Sequence, residues 1–156
     1  MKNELLDINP QTGEILVSGD KQEFEMIKHS KIKAVKLLKR EDFVQINGTW
    51  EAKKDGLLKI LSSLPLSYSW EVKSQQIDFN QGFALVNGIL TLKIGSIHRE
   101  AEGMGICERV EFTEKMKYSL HNMNAKAETR ALKRAIDVLF GSVVNFYVMT
   151  YLERVV

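Results

Sequence analysis

Residues 121–141 read HNMNAKAETRALKRAIDVLFG, and the pattern in this stretch dictates what the rest of the chain must provide. Leu132, Ala135, Ile136, Leu139 and Phe140 recur at spacings of three and four, which gathers them on one face of a helix, the face that must pack on another layer. Lys126, Arg130, Lys133 and Arg134 gather on a different face as a cationic stripe about two turns, or roughly 12 Å, long. Ala125, Ala127, Ala131 and Ala135 let the helix lie close to its neighbours. The helix is predicted to run from Ser119 to Phe140, with Gly141 at the position where a left-handed cap is favoured.

The preceding residues supply the partner layer. Tyr68 to Val72 alternates apolar and polar, as do parts of 76–83, and Ala84 to Ile94 reads as a strand. Gly95-Ser96 marks a turn into Ile97–Glu102, Gly103 and Gly105 close the meander, and a polar segment of mixed charge leads to Ser119. Residues 143–151 are β-branched and aromatic enough for a last strand. Nearer the start, Asp20 is an N-cap with Glu23 three positions on, so a first helix is expected over Lys21–Arg40. Phe43–Ile46, Asn47-Gly48 and Thr49–Glu51 read as strand, tight turn and returning strand. A short helix begins near Asp55 and ends at Pro65. The predicted class is α+β: an antiparallel meander of three to five strands packed against a long C-terminal helix, with an N-terminal helix.

The chain has 156 residues and a mass of 17.8 kDa, enough for one core without a disulfide or metal staple. The expected organisation is an irregular or hairpin-like arm over 1–19 and one domain over 20–156. Cys107 is the single cysteine, which excludes an internal disulfide and points to a reducing compartment. The N-terminus lacks the cationic and apolar regions of a signal peptide, and no apolar run approaches the ~18 residues of a spanning helix, so a cytoplasmic location is expected. The net charge of +2 hides an asymmetry. Glu4, Asp7, Glu14, Asp20, Glu23 and Glu25 crowd the first 25 residues, whereas 26–40 holds Lys28, Lys31, Lys33, Lys36, Lys39 and Arg40 and no acid. A basic surface of this kind is an electrostatic footprint for a polyanion.

Catalytic signatures are sparse. His29, His98 and His121 show no metal-ligand spacing, Cys107 has no histidine beside it in sequence, and Gly103-Met104-Gly105 lacks the remaining residues of a nucleotide fingerprint or P-loop. Neither cofactor nor metal is expected. Asp55 with Glu71-Val72-Lys73 superficially matches the acidic and Glu-x-Lys arrangement of metal-dependent nucleases of restriction-like type, and Glu51-Ala52-Lys53 repeats that pattern. This is the enzymatic alternative to a non-enzymatic binding protein. A protein-binding accessory factor using the basic first helix is a third reading.

The stretch Ala127 to Gly141 resembles the "A-x-T-x-A-x-K-R-A-ϕ-x-x-ϕ-F-G" helix of the single-strand annealing proteins. That superfamily contains the eukaryotic Rad fifty-two mediator, phage Erf proteins and the bacterial DNA-damage-response protein DdrA. Leu64–Val72 resembles the family's "F-G-x-x-G-W-S" strand entry, and Leu90–Gly105 resembles its "V-x-L-x-D-G-x-x-R-E-x-x-G-x-G" hairpin, so the similarity covers about residues 50–145. The resemblance implies a β-β-β-α core, ring or filament homo-oligomers, and ATP-independent binding of single-stranded DNA to anneal complementary strands in homologous recombination and repair. It also implies a nucleoid-associated or virus-encoded protein that meets a recombinase or single-strand-binding protein. Lys133 and Arg134 inherit the role of phosphate contacts in a basic groove, with Arg130 and Lys126 in support and Arg99 on the hairpin facing the same groove. Asp137 stands where the eukaryotic members often carry another cation, and the segment 106–118 is longer and more acidic than a simple glycine linker.

Overall fold

The computed structural model describes residues 5–8, 15–18, 21–63, 67–94, 97–113 and 117–153. It is an α+β protein with an antiparallel three-stranded sheet packed against a long C-terminal helix, an N-terminal helix and two-stranded pairings. Two compact units are formed, one from residues 1–67, 93–98 and 142–156 and the other from 68–92 and 99–141.

In the first unit β1 (Leu5–Ile8) pairs antiparallel with β2 (Ile15–Ser18). Helix α1 (Lys21–Leu37) stops short of the predicted Arg40 because Lys39 is extended and leads into a turn over Arg40–Asp42. That turn is tied down by the buried Asp42 carboxylate, which accepts the Lys39 backbone N–H at 2.9 Å and the Lys59 ammonium at 2.5 Å. β3 (Phe43–Ile46) and β4 (Thr49–Ala52) form the predicted hairpin. Its turn residues Asn47 and Gly48 both have positive φ, 51° and 83°, the conformation that makes Asn-Gly the favoured two-residue connection. Helix α2 (Lys54–Ser63) follows, and Pro65 lies outside the described residues. Leu57, Ile60 and Leu61 are fully buried, and Tyr147 stacks on Phe43 with ring centroids 5.0 Å apart.

The strands that supply most of the sheet residues of the second unit, β5 (Ser67–Asp78), β6 (Phe83–Ile94) and β7 (Ile97–Glu108), lie in that order. β5 is one continuous strand rather than two pieces, and the Gly95-Ser96 turn falls outside the described residues. Burial alternates along β6 at Ala84, Val86, Leu90 and Leu92, and along β7 at Ala101, Gly103, Gly105 and Cys107, the period-two pattern of a sheet covered on one face. Helix α3 (Leu120–Tyr147) covers that face. Ser119 caps it, its Oγ accepting the Asn122 N–H at 3.1 Å.

Several expectations are corrected here. Gly103 and Gly105 do not close the meander. They sit within β7, where a Cβ would lie 1.9 Å from the carbonyl oxygens of Ala131 and Ala127 respectively, so they bring the α3 backbone onto the strand. The residues packed on the sheet are Met123, Ala127 and Ala131, against Ala84, Val86 and Cys107. Leu132 and Leu139 are only half-buried, while Ala135, Ile136 and Phe140 are buried. Small side chains win the contact because the close approach leaves no room for leucines. The segment 106–118 begins as strand and then forms a short turn over Arg109–Glu111. Gly141 lies inside α3 rather than capping it. The last strand over 143–151 is instead helix to Tyr147 and a π-turn over Val148–Leu152. Val143, Val144, Tyr147, Val148 and Leu152 are all buried, a spacing that suits a helix face, and this burial outweighs β-branched propensity. The stretch Leu120–Leu152 is also long and apolar enough to cross a membrane by length and composition, with 39% of the apolar window buried. This corrects the reading that no apolar run approaches that length, and it follows from Asp137 being the only charge between Ile136 and Leu152.

Candidate nucleic-acid interface

β7 is an edge strand among the described residues, and the Met104–Glu108 part of its free side is finished by side chains from α3 and the following turn. The Arg109 N–H donates to the Gly82 carbonyl at 2.7 Å. Successive residues of a strand turn their backbone groups to opposite sides, so the odd-numbered residues of β7 face β6 and Met104, Ile106 and Glu108 face outward. Arg134 Nη1 donates to the Met104 carbonyl at 2.6 Å, Arg130 Nη1 donates to the Ile106 carbonyl at 2.5 Å, and the Glu108 N–H donates to Glu111 Oε1 at 2.9 Å. The match is geometric: four helix residues advance about 6 Å and two strand residues about 6.8 Å. Two arginines four apart on α3 therefore reach two carbonyls two apart on β7.

Glu111 gathers the cations. Arg130 binds it through Nη1 at 2.7 Å and Nη2 at 2.5 Å, and Lys126 Nζ lies 3.1 Å from Oε2. The Arg130 guanidinium holds the Glu111 carboxyl at about 2, aided by the Glu108 N–H and Lys126 and opposed by burial. The same pairing raises Arg130 above its ordinary value. Lys126 also stands over the Phe112 ring at 5.3 Å. Nearby, Tyr118 stacks on Phe79 at 4.7 Å and carries the Arg109 guanidinium over its ring at 4.9 Å. On the other face of the sheet Phe83, Leu85, Ile106 and Arg109 line a depression of about 600 Å³.

The five residues singled out in the sequence all fall in this unit, with different surroundings. Lys126 and Arg130 share Glu111, and Arg130 and Arg134 stand side by side along the β7 edge. Lys133 is half-buried and has no partner among the described residues, and Arg99 is exposed on β7 with none described either. Lys133 and Arg134 point about 100° apart around the helix. Glu128, one turn before Leu132 on the same helix, accepts the Trp70 indole N–H at 3.3 Å. Glu111 and the two edge carbonyls are what the sequence did not disclose, because strand-edge satisfaction leaves no residue-type signature.

Among the described residues no group of three or more His, Cys, Asp or Glu side chains could hold a metal ion. Glu71 and Lys73, the Glu-x-Lys of the nuclease reading, form an exposed ion pair at 2.7 Å. Cys107 is buried, and burial, reinforced by Glu111, raises its thiol above the ordinary value, which disfavours the thiolate needed for nucleophilic chemistry. Compared with known proteins, the chain matches no family model, and no curated protein is significantly similar to it in sequence.

Proposed function

We propose that the protein is a non-enzymatic, ATP-independent factor that binds single-stranded DNA with little sequence preference and anneals complementary strands as a homo-oligomer. The observation that carries this reading is the cationic surface of α3, where Lys133 has no protein partner among the described residues and the adjacent Arg134 is exposed at the β7 edge. A cation without a partner is available to a phosphate at no cost in broken ion pairs. Annealing requires a positive track that neutralises two backbones in turn while the bases stay free to pair, so it needs no bond-making residues. The resemblance of Ala127–Gly141 to the annealing-protein helix supports the same assignment. In this reading the partners are single-stranded DNA, further copies of the chain, and a recombinase or single-strand-binding protein in the cytoplasm.

The test mixes two complementary labelled oligonucleotides without nucleotide and follows duplex formation. Acceleration over the spontaneous rate, reduced by Lys133→Ala, is the expected result. No acceleration overturns the proposal, and cleavage of the labelled strands on addition of Mg²⁺ replaces it with the nuclease reading.

A further inference from the structure

We propose that β5 is a self-pairing edge: two copies of the chain join antiparallel, β5 to β5, about a twofold axis at Val72, so that their sheets become one of six strands. This takes up the homo-oligomer of the proposed function and names its surface. The two edges of the sheet are treated differently. Outward carbonyls of β7 are occupied by Arg130 and Arg134, and the outward Glu108 N–H by Glu111. β5, at the other edge, has no further strand beside it among the described residues. It runs from Ser67 to Asp78 without proline or glycine, the kind of long edge that serves as a template for another strand. From Ser67 to Gln76 every side chain is exposed except that of the half-buried Trp70. On β5 only Trp70 and Ile77 among the described residues pack on the core shared with α3, leaving Tyr68 at 46% and Val72 at 37% exposure.

The charges choose the occupant. Glu71 and Lys73 flank Val72 on one face of the strand. A twofold axis at Val72 sets Glu71 of each copy opposite Lys73 of the other, twice. Moving the axis to residue 71 or 73 sets a charge against itself, and opposed like charges across a strand pair are destabilising. The remaining facing pairs, Ser67 with Ile77, Tyr68 with Gln76, Ser69 with Gln75 and Trp70 with Ser74, bring no charge conflict. A second copy of this chain is therefore complementary to β5 in a register that its own sequence specifies. Because the interface is isologous it uses up the β5 edge of both copies, and with the Met104–Glu108 part of the β7 edge occupied the product is a closed dimer.

Native mass spectrometry and sedimentation of charge variants test this. Wild-type protein should have twice the 17.8 kDa chain mass. Glu71→Lys alone and Lys73→Glu alone each create two like-charge oppositions and should dimerise at least tenfold more weakly, yet form a heterodimer when mixed. The double variant Glu71→Lys/Lys73→Glu should dimerise with itself and not with wild type, which keeps the test decisive should a single variant fold poorly. A wild-type monomer, single variants that self-associate like wild type, or free exchange between the double variant and wild type overturns the proposal. Salt titrations of DNA binding on the same samples separate the two readings. A monomer that still loses DNA affinity on Lys133→Ala sinks only the interface, and a dimer indifferent to DNA sinks only the annealing assignment.

Discussion

Arg130 grips Glu111 with both terminal nitrogens, at 2.7 and 2.5 Å, and with one of them also holds the Ile106 carbonyl of β7. A residue that the resemblance assigned to a DNA groove is thus first a tie between α3, the strand edge and the turn that follows it. Lys133, three positions on, has no such duty among the described residues. The cations that tie down the strand edge are thus set apart from Lys133 by which side of α3 meets that edge.

Glu111→Gln should destabilise the protein at neutral pH by about 2 kcal/mol, because it leaves Arg130 and Lys126 without their shared carboxylate. The folded carboxyl sits at about 2 against an ordinary 4.5, so its contribution is present above the ordinary value and is lost as pH falls through the folded one. Urea midpoints of wild type and variant should differ at neutral pH and converge as the pH approaches 2. A gap that persists unchanged in acid would show that the carboxylate charge is not its source.

Lys133→Ala and Arg130→Ala should part company. Loss of one phosphate contact on a single strand flattens the slope of log affinity against log salt by about 0.7, and Lys133→Ala should do this without changing the melting temperature. Arg130→Ala should lower the melting temperature, since it removes the main partner of a carboxylate only 24% exposed. Equal effects of the two variants on melting would contradict the division of roles.

Gly105→Ala places a methyl 1.9 Å from the Ala127 carbonyl oxygen, a backbone atom that cannot rotate away. Overpacking of this kind costs about 3 kcal/mol, and chemical denaturation should register it as a large fall in midpoint. Gly48→Ala gives a contrast: nothing lies within 4 Å of its added methyl, so its cost comes only from the left-handed backbone, about 1 kcal/mol.

Asn47→Gly in the β3–β4 turn should leave stability nearly unchanged, whereas Asn47→Val should lose about 1–2 kcal/mol, because a β-branched residue tolerates the φ of 51° poorly. Thermal melting of the pair reads the difference directly. Similar losses for both would point to the asparagine side chain rather than its backbone.

The sequence by itself determined whatever depends on neighbours a few residues away. The Asn47-Gly48 turn follows from two residue types that accept positive φ, the strands from alternation, and the α3 start from Ser119 and the helical period after it. Together these fix the α+β class and a meander before a long helix. Only the tertiary structure decided which face of α3 meets the sheet, because that depends on Gly103 and Gly105 meeting Ala131 and Ala127 across more than twenty residues of chain. The same contact sets the partners of the cations: Arg134 reaches a carbonyl 30 residues before it and Arg130 a carboxylate 19 before it. Residues 143–151 are helical rather than extended for a related reason. Local β-propensity is worth at most about 1 kcal/mol per residue, and burying Val143, Val144, Tyr147 and Val148 on one helix face outweighs it. Backbone groups at a strand edge look alike in every sequence, and which of them receive an arginine is settled only when the helix is laid beside them.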